Sequence, residues 1–385
     1  MVSVTFEPVD AEPVDVVVIG SGQGGLSAAY HLRRRGFRSL GANPEDAGTG
    51  TFVVLDQDAA PGGAWRHRWD SLQMGTVNGI HELPGLPAPA AREDERANTV
   101  LPAYFAEYER RFELHVRRPV AVRSVARSPQ DDEGRLAVAT TAGTYLASYV
   151  VNATGTWTRP HWPYYPGMDR FRGRQLHVHD YRRAEEFAGR RVVVVGAGVS
   201  AVQLLEEISR VTETFWVTRR EPEWVRSEFD IPARVAAIAD VADRVANGLP
   251  AGSVVSITGM RWSAAAQVAQ DRGVLVRHPM FRRLEEDGLR MPDGSFEPAD
   301  VILWATGFRP ALDHLAPLRL RTPSGGIRVV DSRSVDEPRV FLVGYGPTQS
   351  TVGANRAGRL IAATVAEELH RPRTARTNVR VLTPQ

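Results

Sequence analysis

Continuous apolar runs recur along the chain at Val16–Ile19, Phe52–Leu55, Tyr149–Val151, Val301–Trp304 and Phe341–Val343, and within Arg191–Val195 and Thr214–Val217 after a polar first residue. Runs of this kind, apolar at every position, predict strands buried on both faces and hence a parallel sheet with helices on either side. Helical spacing follows several of them, with Leu26, Ala29 and Leu32 on one face and Val202, Leu205 and Ile208 on another. Leu101–Leu114 and Ala354–Leu369 have the same period. Gly36 stands where a helix would end. Strict alternation marks Val116–Arg127 and Leu136–Tyr145 as antiparallel strands with a turn at Asp132–Gly134. An insert over Arg38–Thr51 delays the strand at Phe52. The stretch from Ser227 to Gly273 is Ala- and Val-rich, mostly helical in pattern and longer than a simple connection needs. It is expected to cover a cleft or to form a dimer contact.

One unit, strand then glycine turn then helix, occurs twice. Its turns are Gly20-Ser21-Gly22-Gln23-Gly24-Gly25 and Gly196-Ala197-Gly198-Val199-Ser200-Ala201. In such a turn the first glycine permits the tight bend, the second lets backbone approach a pyrophosphate, and the third brings helix against strand. The helix then presents free N–H groups and its positive dipole end to the phosphates. Asp56, ending the next strand, is placed to accept from a ribose hydroxyl. The second turn has Ala201 in the third position. Thr218-Arg219-Arg220 stands where a site for an unphosphorylated ribose would carry an acid, so the arginines suit a 2′-phosphate; a solvated basic pair is the plainer reading. The fold expected is α/β with two dinucleotide-binding, Rossmann-like domains, the second inserted into a discontinuous first. The first takes 1–163 and 310–385, the second 164–309, with a helical insert at about 227–273. The crossing falls in the proline-rich stretch from Pro160 to Gly167.

Composition narrows the chemistry. The 385 residues carry a formal charge of +2 and scattered basic residues, which gives no case for nucleic acid or a membrane surface. All 47 basic residues are Arg, so a Lys nucleophile or Schiff base is excluded. There is no Cys, so disulfide exchange and thiolate metal sites are excluded, and no His motif suggests a metal. Residues 1–15 lack the build of a signal peptide, no window approaches the ~20 apolar residues of a membrane span, and a cytoplasmic protein is expected.

Four further motifs carry a resemblance to the class B flavin-containing monooxygenases, especially small bacterial ones. They are Gly62-Gly63-Ala64-Trp65, Ala153-Thr154-Gly155-Thr156-Trp157, Phe171-x-Gly173-x-x-x-His177-x-x-x-Tyr181, and Trp304-Ala305-Thr306-Gly307-Phe308-Arg309-Pro310. The third ends in Tyr181-Arg182, similar to the heteroatom-oxidising branch; Baeyer–Villiger members usually carry Trp-Pro there. Val199 departs from the Asn usual in the second glycine turn. The resemblance implies FAD and NADPH (NADH as the alternative donor), O2, and a small-molecule substrate oxygenated at thioether sulfur or amine nitrogen through a flavin hydroperoxide. It leaves open Baeyer–Villiger oxidation of ketones, an uncoupled NADPH oxidase or flavoprotein reductase, and a homodimer.

The same resemblance places Gly63, Trp65, Arg66, Thr154, Gly155, His177, Thr306, Gly307, Gly344 and Asn355 at the cofactors. The last two enter a helix whose N-terminus would face the electron-rich end of a reduced flavin. Asn78 is the candidate catalytic residue, an amide at the flavin edge where oxygen adds; as Asn-Gly, it is equally a turn residue.

Overall fold

The computed structural model describes residues 11–77, 80–129, 131, 134–225, 231–252 and 259–371. The first sheet is built on β1 (Glu12–Ile19), β2 (Phe37–Ser39), β3 (Gly50–Leu55), β4 (Val122–Arg127), β5 (Leu136–Thr140) and β6 (Gly143–Asn152). Helices α1 (Gln23–Arg34) and α2 (Ala97–Arg111) lie among them. The second sheet takes β7 (Arg174–His177), β8 (Val192–Val195) and β9 (Thr214–Thr218), with α3 (Val199–Ile208) following β8. A small pair, β10 (Trp224–Val225) and β11 (Met260–Arg261), brackets α4 (Ile231–Ala246), and α5 (Ala264–Asp271) precedes β12 (Arg277–Pro279). A meander of β13 (Arg283–Glu285), β14 (Gly288–Arg290) and β15 (Phe296–Pro298) leads to β16 (Val301–Trp304). The chain then returns to the first sheet through β17 (Val329–Val330), β18 (Arg333–Ser334) and β19 (Val340–Leu342), and ends in α6 (Thr351–His370).

The two sheets repeat one plan. The first runs β19-β6-β1-β3-β2 and the second β7-β16-β8-β9-β12, all parallel over these strands, with the glycine-turn strand at the centre of each. Registers match as well. Ile19 pairs with Leu55 and Asn152, and Val195 pairs with Val217 and Trp304. Val16 and Val18 pack into one apolar cluster with α1 and α6, while Val17 and Ile19 enter another on the opposite face. Val192 and Val194 are divided from Val193 and Val195 in the same way. Burial on both faces explains the unbroken apolar runs, each side chain contributing roughly 1.5–3 kcal/mol.

Three details differ from the pattern read along the chain. Leu136–Tyr145 is not one strand: β5 ends at Thr140, a two-residue loop follows, and β6 runs unbroken from Gly143 through the apolar stretch at 149–151. Gly143, at φ +117°, opens β6 after that loop. The 38–51 insert begins with β2, which adds a parallel edge strand beside β3. Finally, the end of α4 packs on the first sheet. Val245 joins the core behind β1, Thr322 donates to the Gly248 carbonyl at 2.6 Å, and Gln349 donates to that of Gly252 at 3.1 Å. Helix α4 is thus an arm from the second unit onto the first, whereas α5 stays on α3 of its own unit. No helix among the described residues is long and apolar enough to cross a membrane.

Candidate active site

The first glycine turn opens onto a cleft of about 580 Å³ lined by Gly20–Gly24, Asp56, Gly63, Trp65, Arg68, Thr154–Arg159, Phe308, Gly344 and Ser350–Thr351. Gly20 has φ +95°, and a Cβ there would lie 2.6 Å from the Ala153 carbonyl oxygen. Gly196 has φ +139°, and its Cβ would lie 2.3 Å from that of Ala305. Both glycines therefore admit no side chain, for the same reason. Gly22 and Gly198 cap the following helices, and nothing lies within 4 Å of a Cβ built on either. That vacancy is the space a phosphate approaching the helix N-terminus requires. The third positions differ. A Cβ at Gly25 would sit 1.9 Å from the Gly20 carbonyl oxygen, whereas the second turn holds the buried Ala201. Ser200 is partly buried in the first turn of α3.

Asp56 is buried behind the first turn. Its Oδ2 accepts from the Ser21 N–H at 2.7 Å and from the Ser21 hydroxyl at 2.5 Å, and its Oδ1 accepts from the Asp58 N–H at 2.8 Å. Arg118 donates to the Ser21 hydroxyl at 2.6 Å and is gripped by Glu109 through both carboxylate oxygens, at 2.6 and 2.7 Å. Burial pushes the Glu109 carboxyl up, against the pull of Arg118. Arg118 and Glu109 had no motif to mark them; their positions are set by α2 and the chain entering β4.

The two Ala-Thr-Gly motifs brace one another. Thr154 donates to the Ala311 carbonyl at 2.7 Å, and Thr306 donates to the His161 carbonyl at 2.5 Å. The N–H groups of Ala311 and His161 return bonds to the Gly155 and Gly307 carbonyls at 3.0 and 2.9 Å. An Arg159–Asp313 ion pair at 2.7 Å ties the same two segments. Gly155, Gly307 and Gly344 hold φ of +62°, +77° and +80°, and a Cβ on any of them would meet nothing within 4 Å.

Several expected site residues stand elsewhere. His177 is fully buried and is not among the residues lining the cleft. Its Nδ1 accepts from the His179 N–H at 3.1 Å and its Nε2 donates to the Gly307 carbonyl at 3.0 Å, so it ties β7 to the second crossing. Burial lowers its pKa to about 4. Arg66 turns to the Pro61 carbonyl at 3.4 Å and does not line the cleft. Arg68, two positions on, does, its guanidinium carbon 4.6 Å from the Trp157 ring and 5.6 Å from that of Trp65. Asn355 bridges α6 to Gln23 at 3.0 Å and to the Glu82 carbonyl at 2.8 Å, leaving Ser350, Thr351 and Ala354 to face the cleft. Asn78 lies outside the described residues.

At the second turn Thr218 is buried, its hydroxyl donating to the Arg220 carbonyl at 2.7 Å and accepting from Arg277 at 2.9 Å. Arg219 and Arg220 are exposed and make no ion pair among the described residues. Burial, Arg309 and Arg219 together lower the pKa of His161, which places these cations around one position. Arg277, on the strand next to β9, was invisible in the local sequence.

A family model described as pyridine nucleotide-disulphide oxidoreductase matches residues 67–344. The chain belongs to that family. Proteins named flavin monooxygenases and Baeyer-Villiger monooxygenases are among its relatives and structural neighbours, and with the family they imply FAD and NADPH, although this member holds no Cys. A flavin-containing monooxygenase from Stenotrophomonas maltophilia is 35% identical, with a TM-score of 0.76, over 92% of this chain and 99% of that one. A Baeyer-Villiger monooxygenase from Streptomyces coelicolor is 29% identical over 271 residues, 70% of this chain. The chain spans about half of that relative, 48% of its length. An uncharacterised oxidoreductase, CzcO, from Bacillus velezensis is 28% identical over 311 residues, 77% of this chain and 82% of that one.

Proposed function

We propose that this chain is an NADPH- and FAD-dependent monooxygenase that inserts one oxygen atom of O2 into a soft nucleophile, a thioether sulfur or an amine nitrogen. One observation carries the reading: two strand–glycine-turn–helix units of the same geometry are joined back to back through the mutual brace of Thr154 and Thr306. Two nucleotides are therefore held in one chain with no thiol between them. Tyr181-Arg182 favours heteroatom oxidation. The Baeyer–Villiger relative supports ketone oxidation as the second reading.

The cleft residues fit FAD. Gly20–Gly25 and the N–H groups opening α1 would take the pyrophosphate, Asp56 the ribose, and Gly344 with the N-terminus of α6 the far end. Gly155 lines the same cleft. Gly196, Gly198 and the start of α3 would take the phosphates of NADPH, with Arg219 and Arg220 on its 2′-phosphate. Bound together, the two cofactors supply electrons and the capacity to activate oxygen. The rest is the protein's work. Ser21, locked to Asp56 and Arg118, fixes the first turn; Trp157 and Phe308, stacked with ring centroids 5.1 Å apart, wall the cleft against water. The domain division that goes with this reading is FAD on 1–163 and 310–385 and NADPH on 164–309.

Anaerobic reduction of the purified flavoprotein by NADPH and by NADH, followed by oxygen and product analysis, tests the reading. Faster reduction by NADPH and a sulfoxide from a thioether are expected. A lactone from a cyclic ketone, with the thioether untouched, would move the assignment to Baeyer–Villiger chemistry. Full conversion of NADPH into hydrogen peroxide, with neither substrate oxygenated, would overturn it.

A further inference from the structure

Arg68 lines the cleft with its guanidinium between two indoles, and among the described residues no carboxylate answers it. Its guanidinium makes no hydrogen bond or ion pair among the described residues, and its Nε is buried without a partner. Trp157 takes one contact at 4.6 Å and Trp65 another at 5.6 Å. Trp157 is itself held by Phe308 and His179, at ring separations of 5.1 and 4.8 Å, so the arrangement is built from four separate segments of the chain. The neighbouring His67 is engaged by Asp58 at 2.9 Å, which leaves that carboxylate to His67. Desolvation alone lowers the Arg68 pKa, to about 10, with no acid to counter it.

A guanidinium nitrogen buried without a partner is costly, and proteins keep such groups where something else completes them. Ring contacts occupy the faces of a guanidinium and leave its N–H donors in the plane of its edge. That edge matches two oxygens held side by side.

We propose that Arg68 forms an oxygen-acceptor subsite of the cleft, taking the paired oxygens of a carboxylate or a phosphate. Two molecules carry that chemistry: the dinucleotide, through its pyrophosphate, and an acidic substrate, such as a thioether bearing a carboxylate. The second source rests on the monooxygenase reading; the first does not.

The test compares wild type with Arg68→Met and Arg68→Lys, using Arg183→Met as an exposed control. FAD affinity is measured by titrating the apoprotein and following flavin fluorescence. Binding of a thioether carboxylate and of its methyl ester is followed by the visible absorbance of the FAD-loaded protein. Urea unfolding of each apoprotein reports folding. Loss of one charge-assisted pair is expected to weaken binding roughly ten- to a hundredfold, with Arg68→Lys recovering part. Weakened FAD binding in Arg68→Met names the dinucleotide as the source. Unchanged FAD binding, with loss of the preference for acid over ester, names the substrate. The unfolding midpoint of Arg68→Met is expected to stay level or rise, because a desolvated, unpartnered charge is gone. A lowered midpoint with both affinities unchanged would make Arg68 a packing element and overturn the proposal, and so would no change in any measurement. If wild type binds no FAD, the monooxygenase reading fails separately. Inorganic pyrophosphate binding to the apoprotein, weakened in Arg68→Met or not, then decides the subsite.

Discussion

His177 is a place where the fold itself can be titrated. It is fully buried, and its ring is neutral because Nδ1 is spent accepting the His179 N–H while Nε2 donates to Gly307. Its pKa falls from an ordinary 6.5 to about 4, with desolvation the largest cause. The unfolded chain therefore binds this proton at a higher pH than the folded one. The stability tied to neutral His177 is complete above pH 6.5 and is lost progressively as pH falls toward 4. With a folded value near 4 against 6.5 in the unfolded chain, the full effect is about 3 kcal/mol, most of it reached by pH 4.5. The perturbation is His177→Leu, which removes the titrating group and strands two buried partners at about 1–3 kcal/mol each. Urea unfolding of both apoproteins at pH 7.5 and 4.5 gives the double difference, in which groups common to the two, such as His31 and His314, cancel. The variant is expected to be weaker by about 2–4 kcal/mol at pH 7.5. That gap is expected to narrow by roughly 2–3 kcal/mol at pH 4.5. A gap that is the same at both pH values, or wider in acid, would refute the reasoning.

Four substitutions separate folding from binding. Gly20→Ala places a Cβ 2.6 Å from the Ala153 oxygen at φ +95°, so unfolding by urea should show a loss of stability together with lost FAD. Gly22→Ala meets nothing within 4 Å, so the same unfolding curve should return near wild type while FAD affinity falls. Arg118→Met leaves Glu109 buried without its partner and should cost about 3–5 kcal/mol in the apoprotein, part of it restored by adding Glu109→Gln. Arg219→Ala should raise the KM for NADPH roughly tenfold or more, the worth of one charge-assisted bond. The KM for NADH should not move, as steady-state kinetics with each donor will show.

The sheets were legible because burial on two faces leaves a run that no other environment produces, as at Val16–Ile19 and Val192–Val195. Both glycine turns were legible for a related reason. The contact that forbids a side chain at Gly20 or Gly196 comes from a strand ending in Ala-Thr-Gly, and each motif therefore had its counterpart further along the chain. The β5–β6 hairpin was not legible. Its two-residue loop, Thr141-Ala142, carries none of the turn residues that mark such a reversal, and the alternation continues through it. Nor was the docking of α4 on the first sheet, since an amphipathic helix records that it is buried on one side and not against what.

The polar half of the site was the least legible part, and the reason is separation along the chain. Ser21, Asp56, Glu109 and Arg118 form one buried network, yet they come from the first turn, the end of β3, α2 and the entry to β4. Asp56 is marked by the strand it ends, but Glu109 and Arg118 are ordinary residues locally, and their importance arises from what the other segments bring to them. The same holds for His177, which a motif marked as belonging to a nucleotide site. It supports that site through Gly307 without facing the cleft. A motif thus marks a place in the chain without distinguishing a residue that ties segments together from one that lines a cleft. Arg66 and Arg68 show the difference at closest range. A one-turn helix runs from Gly63 to His67; Arg66 within it turns to the Pro61 carbonyl, while Arg68, in extended backbone just past its end, sends its guanidinium to the cleft between Trp65 and Trp157.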